Sequence, residues 1–256
     1  MIQNRSCIAR KDLGIWLINL PCDRGRLTKM QSQLSAMGLS AQLSPAIDGQ
    51  AEKVSLLCKA DANAYARNMG TPILPGKLGV FSSHVAVWKA FLESQYKVAL
   101  VLEDDVVFHD DFLEALDTAL ANYDLWDLLR FNKIRAKLPI TQARLGHYKL
   151  NSYLGPFTGN AAYLIHRDIA ARLATGVWPQ TRALDHELNR FFVHNYRQLG
   201  LEPWSSHPDD GGMSTITGKD FALVTKPHWT KRIPYYLLKA CNYWRRALWL
   251  AQRGML

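Results

Sequence analysis

The sequence has few cysteines and no long apolar run. Its four cysteines, Cys7, Cys22, Cys58 and Cys241, lie far apart, without the short paired spacing of a zinc site or the density of a disulfide-stapled protein. No window reaches the roughly 20 apolar residues of a membrane span, and the charged N-terminus lacks the apolar core of a signal peptide. We therefore expect a cytoplasmic protein.

Internal repeats, low-complexity linkers and two common glycine-rich phosphate motifs, Gly-x-x-x-x-Gly-Lys and Gly-x-Gly-x-x-Gly, are also missing. The lack of these motifs disfavours a metal-dependent nucleotidyltransferase or phosphohydrolase. With 256 residues and 48% hydrophobic content, the chain can bury the core of one large α/β domain, alone or with an appendage.

Negative charge is absent from one end of the chain. The formal net charge is +9, of which residues 221–256 carry +7 without any Asp or Glu. The cations there are Lys226, Lys231, Arg232, Lys239, Arg245, Arg246 and Arg253. Residues 1–220, the predicted main domain, are close to neutral, so we expect no nucleic-acid partner.

Apolar runs of strand length alternate with segments of helical periodicity. The predicted strands span 14–20, 41–47, 98–102, 126–131 and 161–165, and the predicted helices span 24–37, 77–94, 110–121 and 168–175. Residues 50–76 are alanine-rich and partly helical, and we expect a loop-rich insertion there. The alternation indicates an α/β fold with a mainly parallel central sheet flanked by helices.

Three adjacent acids, Glu103, Asp104 and Asp105, follow the apolar strand at 98–102. In an open α/β sheet, ligands bind beyond the carboxyl ends of the strands. Neighbouring carboxylates repel one another, and hard oxygen ligands suit Mn²⁺ or Mg²⁺. The trio therefore predicts a divalent-metal site, and the alternative is a solvated acidic turn before the helix that begins near Asp110.

The basic segment at 221–256 predicts an amphipathic helix. From Pro234 onward, cations are interspersed with an apolar set at helical spacing: Leu237, Cys241, Trp244, Leu248 and Ala251. Aromatic residues and cations on a helix too polar to span a bilayer are typical of an interfacial helix, which would attach the protein peripherally to a membrane. The alternatives are a helix packed on the core and a dimer contact.

Short segments between residues 14 and 216 form a combination that is specific, although each segment alone would be weak. They are residues 18–20 with Asp23, Arg24 and Arg26, residues 45–49, 78–88, 99–106 with Phe112, 159–164, and 184–185. In this order they resemble glycosyltransferase family 25, which includes lipooligosaccharide galactosyltransferases. The resemblance implies a GT-A-like nucleotide-sugar-binding fold, a divalent metal held by the acidic motif, and transfer with inversion at the anomeric carbon.

A UDP-sugar donor, implied by the resemblance, would be bound by residues after the first two strands. Leu20 ends the first predicted strand. Arg24 and Arg26 follow it, where a basic side chain could bond to the phosphates; an exposed helix face is the alternative for both arginines. Asp48 and Gly49 end the second strand and are expected near the base or ribose, although Asp-Gly is also an ordinary turn.

His84 and Asn160 are further candidates for donor binding. His84 lies on the helix before the acidic strand, and its family match favours a site role, against the alternative of a hydrogen-bonded core histidine. Asn160 follows Gly159 at the head of a strand and is expected, from its position alone, to contact the donor sugar.

For the metal, Asp105 is the predicted direct ligand, because side chains alternate in direction along an extended strand end. Glu103 is a further predicted metal ligand, and Glu103 and Asp104 are both expected to support the site by binding the donor. His207, in a late loop, is a candidate third ligand, although a loop rich in Ser, Pro, Asp and Gly needs no function to explain it.

Inversion by direct displacement needs a general base for the acceptor hydroxyl. Asp185 and Glu187 are the candidates, and Asp185 is preferred because it matches the aspartate of a proline-valine-aspartate-like motif of the family. This sequence has Ala183 and Leu184 where that motif often has proline and valine. The alternative is that Asp185 caps the helix running through Phe192.

The resemblance implies a galactosyltransferase that uses UDP-galactose and a glycolipid oligosaccharide acceptor in lipooligosaccharide or lipopolysaccharide biosynthesis. The basic C-terminal segment predicts that it acts at the inner-membrane surface. No motif reads the stereochemistry of the sugar hydroxyls, so UDP-glucose and UDP-N-acetylhexosamine remain alternative donors. A non-catalytic, membrane-attached carbohydrate-binding protein is the alternative from outside the enzymes.

Overall fold

The computed structural model describes residues 8–209 and 227–256. The helices are α1 (Arg24–Ala36), α2 (Lys53–Leu57), α3 (Ala62–Met69), α4 (Pro75–Glu93), α5 (Phe112–Ala121), α6 (Arg167–Gly176), α7 (Leu184–Leu188), α8 (Phe191–His194) and α9 (Ile233–Ala251). The strands are β1 (Leu13–Asn19), β2 (Gln42–Pro45), β3 (Val98–Glu103), β4 (Val106–Phe108), β5 (Leu128–Arg130), β6 (Arg135–Ala136), β7 (Pro139–Leu145), β8 (Tyr148–Tyr153), β9 (Phe157–Thr158), β10 (Ala162–His166), β11 (Gln198–Glu202) and β12 (Ser206–Pro208). The predicted domain boundary at 220 and the cation Lys226 lie outside the described residues.

An eight-stranded sheet in the order β2-β1-β3-β10-β5-β11-β8-β7 forms the centre of the protein. Strands β2, β1 and β3 are parallel, as are β5 and β11. Only β10 and β8 run in the opposite direction, each antiparallel to both of its neighbours. The sheet is therefore mainly parallel and flanked by helices, which confirms that part of the sequence prediction.

Strand β3 is buried on both faces, which explains why its sequence is a continuous apolar run rather than an alternating one. Val98, Leu100 and Leu102 pack into a core layer that contains residues of α1 and α5. Ala99 and Val101 pack into the opposite layer, with residues of α4 and α6. Burial between two helical layers holds the end of β3, and the acids that follow it, in a fixed position.

Most of the predicted elements correspond to observed ones. The predicted strands match β1, β2, β3, β5 and β10, and the predicted helices match α1, α4, α5 and α6. Residues 50–76 contain the short helices α2 and α3, in agreement with a partly helical insertion. The β7–β8 hairpin and β11, which complete one side of the sheet, have no counterpart in the sequence prediction.

The C-terminal helix α9 packs on α3 and α8. Trp249 and Leu250 on its inner side are buried, and the Trp249 ring lies edge-on to Phe191 with centroids 5.1 Å apart. Arg246 is also buried and donates to the carbonyl oxygen of Leu154 at 2.7 Å. In the described ranges, no helix has both the length and the apolar content needed to cross a membrane.

His166, at the end of β10, is a buried histidine that should make stability depend on pH. Its ring stacks on Tyr123 with centroids 3.8 Å apart. Burial lowers the pKa of His166 to about 4, despite the opposing charges of Asp127 and Asp168, and Arg197 lowers it further. The folded protein therefore keeps this ring neutral where the unfolded chain would protonate it.

We expect the free energy of unfolding to fall as the pH drops from about 6.5 to about 4, with His166 contributing about 3 kcal/mol of that loss. His166→Phe keeps an aromatic ring and does not titrate, so the difference in stability between variant and wild type should change with pH over this interval only. Urea denaturation at a series of pH values measures it. A difference independent of pH would contradict the assignment.

Candidate active site

A cleft of about 420 Å³ opens at the carboxyl ends of β1, β2 and β3. The fold brings most of the predicted site residues to its walls. They are Leu20, Arg26, Asp48, Gly49, His84, Glu103, Asp104, Asp105 and Asn160. Because β10 runs antiparallel to β3, the segment before β10 reaches the same edge of the sheet as the segments that follow the parallel strands.

Arg24, Asp185, Glu187 and His207 do not line this cleft. Arg24 is exposed at the first turn of α1, the position expected for a residue on a helix surface. Asp185 and Glu187 lie on α7, and His207 lies on β12. Their surroundings are therefore described separately below.

The predicted metal set of Glu103, Asp105 and His207 is not formed. Strand β12 pairs with β4 and places Pro208 in the cleft wall, so the alternation of a strand directs the neighbouring His207 away from it. Nδ1 of His207 lies instead 2.8 Å from Nε2 of His109. Within the part of the chain that the structure describes, no group of three or more His, Cys, Asp or Glu side chains is placed to hold a metal ion.

Asp104 links the acidic turn to the end of the first strand by a hydrogen bond. Its Oδ2 accepts from Nδ2 of Asn19 at 2.7 Å, and its Oδ1 accepts from Nη1 of Arg26 at 3.3 Å. Arg26 also pairs with Asp23, with 3.3 Å between Nε and Oδ2. Both oxygens of Asp104 are thus engaged by protein groups, and Arg26 faces carboxylates as well as the cleft.

Asp105 has a carboxylate oxygen without a hydrogen-bond partner in the part of the chain that the structure describes. Its Oδ1 is buried and has no hydrogen-bond partner among the described residues. Burial, followed by the charges of Glu103 and Asp104, raises the pKa of Asp105 to about 7, against a smaller effect of Arg26. A carboxylate that is desolvated beside like charges is stabilised by a cation, so this oxygen is the best-placed metal ligand in the cleft.

Glu103 is oriented by a chain of buried hydrogen bonds. His84 is 1% exposed; its Nε2 lies 3.1 Å from Oε1 of Glu103 and its Nδ1 lies 2.9 Å from the hydroxyl of Tyr163. Trp88 donates to the same hydroxyl at 2.9 Å. If the Tyr163 hydroxyl donates to Nδ1, the Nε2–H of a neutral His84 donates to Glu103, and every group in the chain is satisfied. His84 therefore combines the two alternatives: it is a hydrogen-bonded core residue and it lines the cleft.

Gly49 lies where two backbone segments pack without room for a side chain. A Cβ at Gly49 would lie 1.8 Å from the carbonyl oxygen of Pro75, and one at Gly79 would lie 2.5 Å from that of Ile47. Ser83 joins the same segments, because its Oγ accepts from the N–H of Ile47 and donates to the carbonyl of Gly79, both at 2.8 Å. The segment after β2 is thereby held against α4, where Asp48 forms a turn by accepting from the N–H of Gln50 at 2.8 Å.

Asn132 is a cleft residue that the sequence reasoning missed. Asn132 follows β5, and Asn19 ends β1. Both residues could have been found from the rule that ligands bind beyond the carboxyl ends of the strands in an open α/β sheet. Lys77 and Ser83 also line the cleft, from α4. Ser83 lies within the segment 78–88 that contributes to the family resemblance, but no local pattern marks either side chain as a cleft residue.

Asp185 lies in the first turn of α7, whose N-cap is Ala183 rather than Asp185. Its Oδ1 accepts from the N–H of His186 at 2.9 Å. Burial alone would raise its pKa, but the charges of His186, Lys77 and Arg130, with that hydrogen bond, hold the pKa of Asp185 below its usual value. Asp185 is therefore ionised at neutral pH and interacts electrostatically with Lys77, a residue of the cleft wall.

Glu187, the other candidate base, lies inside an ion-pair cluster. Its carboxylate is 2.9 Å from Nη1 of Arg190, 2.7 Å from Nε2 of His194 and 3.6 Å from Nη1 of Arg182. Burial acts to raise its pKa, but these three partners lower it below the usual value. A carboxylate this fully paired contributes to the stability of the α7–α8 region.

Taken together, the cleft has carboxylates at its centre and amide and cationic side chains on its walls. Such a site can hold a cation and, through it, an anionic leaving group such as a diphosphate. An ionised carboxylate, Asp185, lies beyond one wall.

Comparison with known proteins identifies the family to which the chain is similar. The family described as "Glycosyltransferase family 25 (LPS biosynthesis protein)" matches residues 12–186. The glycosyltransferase 25 family member of Anopheles gambiae is 30% identical over 220 residues, covering 76% of this chain and 35% of that protein. Human procollagen galactosyltransferase 2 is 28% identical over 132 residues, covering 48% of this chain and 21% of that protein.

The chain thus spans between about a fifth and a third of the length of these relatives. Among solved structures, A197 from STIV aligns with 73% of this chain and 80% of that chain, with a TM-score of 0.41 and 10% sequence identity, a likeness too weak to support an argument. The family match includes β1, the acidic turn and Asp185. The chain therefore belongs to glycosyltransferase family 25, as its sequence motifs indicate.

Proposed function

We propose that this chain is an inverting, metal-dependent glycosyltransferase with a GT-A-like site. It transfers a hexose, galactose from UDP-galactose, to the oligosaccharide of a surface glycolipid in lipooligosaccharide or lipopolysaccharide biosynthesis. The observation that carries the proposal is the buried Oδ1 of Asp105, which has no partner among the described residues and belongs to a cleft that Glu103 and Asp104 also line.

The acidic turn fits a hard divalent cation, Mn²⁺ or Mg²⁺. Asp105 supplies a buried oxygen that no described residue pairs with, and His84 orients Glu103. These two residues would hold the cation, while Asp104 serves as a positioning residue through Asn19 and Arg26. When bound, the cation would act as a Lewis acid that stabilises the negative charge on the departing UDP.

Asp185 is our proposed general base. Its lowered pKa keeps it ionised at neutral pH, so that it can accept the proton of the acceptor hydroxyl as that oxygen attacks the anomeric carbon. Lys77 lines the cleft and exerts its charge on Asp185, which supports a position next to the donor site. Glu187, whose carboxylate is fully paired, is assigned a role in stabilising the fold.

The choice of donor and acceptor rests on the relatives. The human relative is named a procollagen galactosyltransferase, which supports galactose as the transferred sugar. The family description refers to lipopolysaccharide biosynthesis, which supports a glycolipid acceptor. UDP-glucose and UDP-N-acetylhexosamine are the alternative donors. A panel of UDP-sugars, assayed for UDP release with and without acceptor, decides among them.

A glycolipid acceptor lies at a membrane surface, and we propose that α9 docks the protein on the cytoplasmic face of the inner membrane. Leu237, Trp244 and Leu248 recur at helical spacing on one side of α9 and are 66%, 78% and 61% exposed. Burying this apolar face in the interfacial region of a bilayer would be favourable.

Charge favours a lipid surface over a second copy of the chain as the occupant of this face. Lys231, Lys239 and Arg245 are exposed on and before α9, and residues 227–256 contain no Asp or Glu. Two such faces would repel each other, whereas each cation near an anionic leaflet contributes about 1 kcal/mol of attraction.

The metal site is tested by Asp105→Asn, which removes the charge and keeps the shape. We expect turnover of UDP-galactose to fall about 100- to 1,000-fold. Mn²⁺ binding in the presence of UDP, measured by calorimetry, should weaken in parallel. Chelation should abolish wild-type turnover, and added Mn²⁺ should restore it.

Asp117→Asn is the matched control, because Asp117 is an exposed acid paired with Arg10. It should leave both turnover and Mn²⁺ affinity unchanged. Metal-stimulated turnover that survives in the Asp105 variant would contradict the proposal, as would wild-type turnover that is unaffected by chelation.

Asp185 and Glu187 are separated by two variants. Asp185→Asn should lower kcat about 100- to 10,000-fold, with little change in thermal stability or UDP affinity, because only the proton acceptor is lost. Glu187→Gln should lower the free energy of unfolding by about 3 kcal/mol, because it leaves buried cations without their partner. The reverse pattern, with Glu187 governing kcat in a stably folded protein, would exchange the two assignments.

Membrane docking is tested by sedimentation with phosphatidylcholine vesicles that contain or lack phosphatidylglycerol. We expect binding to anionic vesicles only, weakening with salt. The double variant Leu237→Ser, Trp244→Ser should lose binding, whereas Val54→Ser, which removes a 79%-exposed apolar side chain on α2, should retain it. Equal binding of wild type and double variant would refute docking through α9, and a dimer that the double variant abolishes would favour self-association.

A further inference from the structure

We propose that Asn132 and Asn160 form a subsite that binds hydroxyl groups of the donor hexose and thereby selects the sugar. The inference rests on the proposed transferase function and adds to it the residues that recognise the hydroxyl groups of the sugar. It assigns Asn132 for the first time and gives Asn160 a specific partner chemistry.

The two amides present an unmet donor and an unmet acceptor in the same cleft. Asn132 is 0% exposed and Asn160 is 8% exposed, and both line the cleft. Nδ2 of Asn132 and Oδ1 of Asn160 are buried without a hydrogen-bond partner among the described residues. Leaving such groups unpaired is costly, and a ligand that meets both removes that cost.

Backbone contacts hold the Asn132 side chain, and the segment that carries Asn160, in place before any ligand arrives. Oδ1 of Asn132 accepts from the N–H of Ala162 at 3.0 Å, which ties the end of β5 to the start of β10. Gly159 has a φ of +105°, and a Cβ there would lie 2.8 Å from the backbone nitrogen of Ile134 and 3.1 Å from Nδ2 of Asn132. The segment before β10 therefore packs directly against the segment after β5, and glycine at 159 makes that approach feasible.

The chemistry of this pair suits a neutral polyol. An amide N–H₂ and an amide oxygen are uncharged, and together they match a hydroxyl pair, because each hydroxyl both donates and accepts. A phosphate has no proton to give the Asn160 oxygen at neutral pH and would be repelled by it. The cations of the cleft wall, Arg26 and Lys77, belong to α1 and α4 instead.

The order of strands separates the two halves of a nucleotide sugar. From β2 through β1 and β3 to β10 and β5, the cleft residues change from Asp48 and Asn19, through the acidic turn, to Asn160 and Asn132. With the diphosphate at the acidic turn, a nucleoside over β1 and β2 leaves the hexose over β10 and β5. The amides are on the sugar's side of that turn.

The first experiment uses the wild-type protein with Mn²⁺ and a panel of UDP-galactose, UDP-glucose and monodeoxy analogues of the preferred donor. At least one deoxy analogue should lose about 10- to 100-fold in kcat/KM, because its missing hydroxyl leaves a buried amide unpaired. UDP and UDP-hexose affinities are measured in parallel by calorimetry, so that the subsite can be judged without turnover.

The second experiment removes each amide in turn. Asn160→Leu deletes the acceptor at similar volume, and Asn132→Asp keeps the oxygen that bonds to Ala162 while replacing Nδ2. Each variant should lower kcat/KM for the preferred donor about 10- to 100-fold. For the deoxy donor that lacks the hydroxyl bound by the replaced amide, kcat/KM should be the same in variant and wild type. The affinity for UDP should stay within about twofold. Asn122→Leu, a half-buried asparagine that caps the end of α5 outside the cleft, is the control and should change none of these.

Three results would contradict the subsite. The wild-type protein could use every deoxy donor equally well, the variants could weaken binding of UDP as much as binding of UDP-hexose, or the variants could change only the KM for the acceptor. Absence of turnover with every donor would refute the transferase. The subsite would then be tested by binding alone: if it exists, each variant should reduce the extent to which the protein binds UDP-hexose more tightly than UDP. If the wild-type protein binds no UDP-hexose at all, both proposals fail.

Discussion

The hydrogen bonds that Asp104 accepts from Asn19 and Arg26 are the contacts on which the site depends. They join the end of β1 to the turn after β3, two parallel strands buried between helical layers. Because Asp104 is held in this way, Glu103 and Asp105 on either side of it are fixed relative to the cleft. A turn of three acids would otherwise spread apart to reduce the repulsion among its charges.

Polar groups in this protein divide into those that the fold satisfies and those that it does not. Glu187 meets two arginines and a histidine, as a structural buried charge must. In contrast, buried atoms of Asp105, Asn132 and Asn160 have no partner among the described residues, and all three side chains line one cleft. Since unpaired buried polar atoms are costly, three of them in one cleft at the carboxyl ends of the strands support a binding site there.

Helix α9 has two apolar sides, of which one is buried and the other is exposed. Trp249 and Leu250 pack inward and fix the helix on the main body. The residues that stand out in the sequence by their helical spacing, among them Leu237 and Trp244, lie on the outer side. A pattern of apolar residues therefore predicted the helix but not which side the core would use, because that depends on the surface that α3 and α8 offer.

The sequence by itself determined the strands buried on both faces, the helices between them and the acidic turn, because continuous burial and helical periodicity leave local patterns. It did not reveal the β7–β8 hairpin, whose first strand is partly exposed, or β11, in which Gln198, Gly200 and Glu202 interrupt the apolar run. Tertiary structure alone decided that His207 turns away from the acids, that Glu187 is neutralised by cations and that Asn132 joins Asn160. Each of these outcomes depends on strand register and on contacts between segments far apart in the chain, which no local spacing encodes.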